Sequence, residues 1–346
     1  MRILVDAMGG DNAPKAAALG AIAAAQELGG EIVLVGRGEA ILQALKDEGV
    51  QTLPKGVEIA NAEDVVDMHD DPATVIRKRK DSSMVVGLQM LRDGQGDAFV
   101  SAGSTGALLS AATLIVKRVK GVRRAALAPV IPTKTGRGAL LIDCGATADC
   151  TPEFLLQYAL MGSLYAEKIM GLAKPRVALL NIGAEDSKGG ELQKAVYPLL
   201  RQAAQDGLLN FTGNIEARDV PLGGADVVVS DGFSGNILLK GVEGTAMFMA
   251  SMVKDLFRKN LLTKLAALLC RGGLQTFKDT LDYRQTGGTA LLGLCKPVIK
   301  AHGSSDALAM KNAIRQAVQA AQAELPQALS ELAGKLTLER KQEHAE

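Results

Sequence analysis

One device recurs along this chain. A short apolar run ends in a loop of Gly, Ser, Thr, Asn and Asp, and a helix-like stretch follows. It stands as ILVDAMGGDN (3–12), AFVSAGSTGA (98–107), ALLIDCGATAD (139–149), VALLNIGAED (177–186) and DVVVSDGFSGN (226–236), with TGGTALLGL (286–294) and VIKAHGSSDA (298–307) as late relatives. The runs are short and β-branched, which suits strands buried on both faces of a parallel sheet. Open α/β sheets bind ligands outside the carboxyl ends of their strands, where these loops would gather. Glycine lets backbone N–H groups approach a ligand closely, and helix amino termini favour anions. The loops therefore point to phosphate or a developing oxyanion as the bound group.

Composition narrows the field. The net charge of +1 gives no global argument for nucleic acid, and with no Trp and 3% aromatics there is no stacking platform for single strands. The cysteines, at 144, 150, 270 and 295, form no C-x-x-C pair, so neither a zinc site nor a disulfide framework is expected. No metal and no cofactor is indicated. The amino terminus lacks a signal-peptide pattern, and no apolar stretch approaches the roughly 18 residues of a membrane span. The expectation is a cytosolic protein.

The chain opens as strand, loop, helix (14–28), strand (31–35) and helix (38–48), a βαβ beginning. Residues 61–95 are polar and lead into an amphipathic helix near 82–93, and strand and helix patterns alternate from 97 to 240. That alternation marks a parallel or mostly parallel sheet. With no Pro- or Ser-rich linker, one continuous domain over 1–330 is expected, with a polar tail at 331–346. Residues 244–282 break the pattern and read as helices without strands, interrupted at Gly272-Gly273. Leu261, Leu262, Leu265, Leu268 and Leu269 share one face there, beside Lys254, Arg258, Lys259, Lys264, Arg271 and Lys278. Two readings stand: helices packed on the body or on a second subunit, or a protruding tip that touches an acidic membrane surface or a partner.

Familiar signatures are missing. VGRGEAI (35–41) has G-x-G without the third Gly, no P-loop occurs, and AGSTG (102–106) and GFSG (232–235) lack the spacing of a hydrolase elbow. Asp143, Asp149, Asp226 and Asp231 are possible ligands, but Asp at a strand end is more often a helix cap. His302 follows Val298 and Lys300 in strand alternation, which suits a general base or phosphate binder, or a His that merely closes a strand. Cys150 in ADCTPE reads as a small buried thiol rather than an acyl-carrying nucleophile. Arg77–Lys80 and Lys117–Arg124 read as solvated helix faces or as docking charge for an acidic carrier protein.

Taken in order, DAMGGDNAP, SAGSTGALL, LNIGAED, GNIEARD, DVVVSDGFSGNILLK, GGTALLGL and IKAHGSS resemble the bacterial acyl-ACP:phosphate acyltransferases, from residue 3 to about 320. The resemblance implies a three-layer α/β/α sandwich with a mostly parallel central sheet, similar to isopropylmalate dehydrogenases and phosphotransacetylases, and a homodimer. It implies that long-chain acyl-ACP and inorganic phosphate become acyl phosphate and free ACP. The product would pass to a membrane glycerol-3-phosphate acyltransferase from a cytoplasmic enzyme peripherally associated with the anionic inner face of the membrane. Ser104 and Thr147 stand where the family often has Asn, and Thr286 where Tyr is frequent.

On that reading the candidate catalytic residues are His302, Lys300, Asp231 and Asn236. The candidate substrate-binding residues are Gly9, Gly10, Asp11, Gly103, Ser104, Thr105, Gly106, Asn181, Gly287, Gly288 and Ser304. Three other readings remain open: an NAD-dependent decarboxylating dehydrogenase, a non-catalytic membrane scaffold, and acetyl transfer from coenzyme A to phosphate.

Overall fold

A computed structural model describes residues 1–281 and 287–332. Thr286, His344 and nearly all of the expected tail lie outside the described residues. The first half runs β1 (Arg2–Asp6), α1 (Lys15–Leu28), β2 (Glu31–Gly36), α2 (Gly38–Asp47), β3 (Val57–Asn61), α3 (Val75–Lys78), α4 (Ser83–Arg92), β4 (Ala98–Ser101), α5 (Thr105–Ile115) and β5 (Ala126–Ala128). Next come β6 (Val130–Ile131), β7 (Ala139–Ile142), α6 (Pro152–Lys168), β8 (Arg176–Asn181), α7 (Glu191–Gln205), β9 (Asn210–Glu216) and β10 (Val227–Val229). The helices α8 (Gly232–Arg258), α9 (Leu261–Leu269) and α10 (Arg271–Leu281) form the excursion, and β11 (Gly288–Leu292), β12 (Val298–Ala301) and α11 (Ala307–Gln322) complete the core.

The α/β class with mostly parallel pairing holds, and the pairing is divided between two sheets. One has the order β3-β2-β1-β4-β12-β11-β5, the other β6-β7-β10-β8-β9. Within the first, β11 runs antiparallel to both neighbours; within the second, β6 runs antiparallel to β7. The chain steps directly from β5 into β6 across Pro129, a residue that cannot donate to a ladder. A division at one residue leaves no linker to read in the sequence.

Two apolar layers span both sheets, because alternate strand residues face opposite sides. Ile3, Val5, Leu140, Ile142, Val227 and Val229 join the layer under α1, α6, α7 and α11. Leu4, Leu141 and Val228 join the other, under α4 and α5. The two sheets therefore share one interior, with helices on both faces. The excursion departs from this plan. Only Gly232 and Gly235 of α8 are buried, and no residue of α9 is.

Candidate active site

The buried heart of the loop edge is Asp6, the last residue of β1. Its Oδ1 accepts from Ser83 Oγ at 2.6 Å and from the Met8 amide at 3.2 Å, and its Oδ2 accepts from Ser101 Oγ at 2.6 Å. Burial raises the Asp6 pKa, and the two hydroxyls pull it back. Lys300, the penultimate residue of β12, lies directly opposite Ser101 in the parallel register with β4. It is 9% exposed, and its Nζ donates to the carbonyls of Ala102 and Ala301. Burial pushes this ammonium down to about 8, with Asp6 and Asp11 holding it up and Lys240 opposing them.

Three loops interlock above this pair. The Gly9-Gly10 turn lies against the 102–103 backbone so closely that a Cβ on Gly9 would fall 2.7 Å from the Gly103 nitrogen. Gly10 has φ +96° and a Cβ there would fall 2.9 Å from the Gly303 carbonyl, so both positions require glycine. The Asp11 amide donates to that carbonyl at 2.8 Å, and Asn12 Nδ2 reaches Ser304 O at 3.1 Å and Ser305 O at 3.2 Å. His302 stands just past β12, exposed, with Nδ1 at 2.8 Å from Ser304 Oγ. Partial desolvation of the ring lowers its pKa below the usual 6.5; Glu243 opposes this, while Lys240 and Lys300 add to it. Lys240 and Glu243 belong to α8, so the excursion's root closes over the same edge.

Ser104 sits at the cap position of α5 yet makes no side-chain cap bond. The first N–H groups of an α-helix have no partner inside it, so the turn at Thr105-Gly106 presents donors and positive potential to an anion. The structure thus brings Gly9, Gly10, Asp11, Gly103–Gly106, Lys300, His302 and Ser304 to one edge.

The other candidates lie differently. Asp231 caps α8, its Oδ1 accepting from the Ser234 amide at 2.8 Å. Asn236 is exposed near Gly145. Asn181 closes its own loop after β8, accepting from the Ile182 amide and donating to Lys188 O. Antiparallel pairing sets Gly288 beside Ala301, and the Gly288 amide donates to Gln316 Oε1 of α11. Gly287 packs against the Asn312 backbone, where an added Cβ would fall 2.7 Å away.

Asp143, read as a possible ligand, instead accepts from the amides of Leu127, Cys144, Ala146 and Thr147 and ties the two sheets together. Cys150 is half-buried, its thiol donating to Thr147 O at 3.3 Å, and burial pushes its pKa up to about 11. Among the described residues no three His, Cys, Asp or Glu side chains gather for a metal ion. The sequence reading missed Ser83, Ser101, Lys240 and Glu243. For Asp6 a signal existed: a carboxylate closing an apolar strand immediately before a Gly-Gly turn.

The architecture is that of the phosphotransacylases. It superposes on a phosphotransacetylase from Streptococcus pyogenes with TM-score 0.61 at 20% identity, covering 93% of this chain and 94% of the other. A branched-chain phosphotransacylase from Enterococcus faecalis gives 0.58 at 15% identity, covering 93% and 99%. At these identities the likeness concerns the fold.

Sequence relatives carry the identification further. The model of a family described as fatty acid synthesis protein matches residues 1–328, and the chain belongs to that family. It is 48% identical over 339 residues to a phosphate acyltransferase of Brevibacillus brevis, covering 98% of this chain and 99% of that protein. A phosphate acyltransferase of Oceanobacillus iheyensis is 47% identical over 317 residues, covering 92% of each. The family makes this chain an acyltransferase.

Proposed function

We propose that this protein transfers a long-chain acyl group from the thioester of acyl carrier protein to inorganic phosphate, giving acyl phosphate and free carrier thiol. The carrying observation is the anion-facing edge, where the uncapped first turn of α5 meets the Gly9–Asp11 and Gly303–Ser304 loops over buried Lys300. Residues 1–330 act as one catalytic unit on this reading.

Phosphate is already an anionic nucleophile, so no covalent enzyme intermediate is needed. An oxygen of hydrogen phosphate attacks the thioester carbon, the C–S bond breaks, and the proton carried by phosphate ends on the carrier sulfur. His302, held neutral near pH 7 by its lowered pKa, suits that relay, taking the proton from phosphate and returning it to the thiolate. The α5 amides, backed by Lys300, hold phosphate and face the developing oxyanion; one such donor is worth about 3 kcal/mol. Asp231 and Asn236 order the same edge through the root of α8. Asn181, Gly287 and Gly288 complete the substrate-binding set at neighbouring loops.

The exposed apolar residues of α8–α10 support a peripheral station on an anionic membrane surface. There the product would pass to a membrane glycerol-3-phosphate acyltransferase. Among the described residues no helix is long and apolar enough to cross a membrane. Part of the same apolar surface suits a homodimer contact.

The test incubates purified protein with palmitoyl-ACP and phosphate, traps acyl phosphate with hydroxylamine and counts released thiol. Phosphate-dependent hydroxamate equal to thiol is expected. Thiol without hydroxamate means hydrolysis and overturns the proposal, as does reaction with acetyl-CoA in place of palmitoyl-ACP.

A further inference from the structure

The Ala102–Gly103 peptide is held at both ends. Its carbonyl accepts from Lys300 Nζ at 3.4 Å, and its N–H donates to Ser101 Oγ at 3.0 Å. A serine hydroxyl has one proton, and Ser101 gives it to Asp6 Oδ2 at 2.6 Å, leaving a lone pair aimed at Gly103. Asp6 receives donors from Ser83, Ser101 and the Met8 and Gly9 amides. A carboxylate surrounded in this way acts as an acceptor at every bond, and Lys300 supplies the counter-charge nearby. Lys300 directly, and Asp6 through Ser101, thus hold the carbonyl oxygen and the N–H of a single peptide plane.

The direction of α5 depends on that plane. Gly103 is the hinge into α5, and a residue without Cβ has little preference of its own for the direction of the chain. A Cβ on Gly103 would meet only side-chain atoms, the mobile Met84 Cε at 2.8 Å and Ser101 Oγ at 3.3 Å. The plane before the hinge therefore sets where the first amides of α5 point.

We infer that Asp6 is a positioning residue for the anion. Acting through Ser101, it orients the Ala102–Gly103 peptide and thereby the α5 amides that hold phosphate, while Lys300 secures the other end of the same peptide. The inference rests on the reading that phosphate is a substrate. It assigns to Asp6 and Ser101 an effect on phosphate that is separable from any effect on the acyl donor.

Ser83 supplies the control, because it bonds the Asp6 oxygen that Ser101 does not use. Ser101→Ala and Ser83→Ala each remove one hydroxyl from Asp6, so a role confined to keeping the buried carboxylate satisfied would move both variants alike. We expect Ser101→Ala to raise the phosphate KM at least about tenfold, as for loss of a hydrogen bond ending on a charged group. Its palmitoyl-ACP KM should stay within about twofold, and Ser83→Ala should leave the phosphate KM within about twofold as well. Calorimetric titration with inorganic phosphate alone should show the same order.

Equal shifts in the two variants, or a shift confined to palmitoyl-ACP, would overturn the inference. Where Ser101→Ala melts below the assay temperature, Ser101→Cys, which keeps the bulk and weakens both bonds, is compared with Ser83→Cys by the same criteria. Wild-type protein that binds phosphate without turnover would sink the proposed reaction and leave the binding comparison to decide the role of Asp6. Wild-type protein that binds no phosphate would end both.

Discussion

Gly235, in the first turn of α8, lies against the backbone of Asp143: a Cβ there would fall 2.0 Å from the Asp143 carbonyl oxygen. Three residues earlier, a Cβ on Gly232 would fall 2.6 Å from both Asp143 Oδ2 and the Thr147 carbonyl. The glycines of GFSG thus let a helix seat directly on the loop after β7, whose Asp143 bonds Leu127 of the other sheet. Gly235→Ala should cost about 1–3 kcal/mol, because backbone rather than a flexible side chain must yield. Urea unfolding followed by circular dichroism measures this. An unchanged midpoint would show that the root of α8 is free to shift.

Lys300 gives a pH signature. Its pKa falls from 10.5 unfolded to about 8 folded, so the two states differ in bound protons only between those values. There the unfolded chain holds a proton that the folded chain has released, and stability rises with pH by up to about 1.4 kcal/mol per unit from this group. Below about 8 that contribution is absent. Unfolding from pH 7 to 10.5, compared with Lys300→Met, should therefore diverge with a positive slope for the wild type. The phosphate KM of the wild type should rise over the same range as the ammonium is lost.

Cys150 should be dispensable. With its pKa near 11, about one thiol in ten thousand is ionised at pH 7. Cys150→Ala should keep kcat within about twofold, and a trapped acyl-enzyme at this residue would contradict the direct attack by phosphate.

At the far end of the excursion, Leu261 and Leu265 are 83% and 56% exposed. Leu261→Asp and Leu265→Asp should abolish sedimentation with anionic vesicles and leave turnover of soluble palmitoyl-ACP unchanged. A charge placed on this exposed apolar stripe acts without touching the core, since no residue of α9 is buried. Loss of thermal stability would instead point to packing against a second subunit.

Local patterns were the legible part of this fold. The helix expected at 14–28 spans Lys15–Leu28, and that expected near 82–93 spans Ser83–Arg92. β3 escaped because VEIAN carries Glu and Asn on a strand buried only in part. The excursion read as helices does form helices, with breaks at Lys259-Asn260 and at Cys270 rather than at the glycines beyond it. Pairing was not legible: nothing in the period of 288–292 says that the strand runs antiparallel, or that the sheet divides at Pro129. For the site, Gly-rich strand ends gave the edge, but the Asp6 cluster joins residues 77 and 95 positions apart. Hydroxyl-to-carboxylate bonds of that range leave no mark on local spacing.

α8 has 27 residues, which makes it about 40 Å long. Its amino end is rooted at the loop edge, and its carboxyl end carries α9 and α10. Phe233, Ile237, Met247, Phe248, Met252 and Leu256 stay exposed along it. With the proposed reaction at one end of this helix and the proposed bilayer contact at the other, α8 would be a gangway. Its length would then set the standoff between chemistry and membrane, and its apolar flank would offer a path to a product too insoluble to diffuse through water.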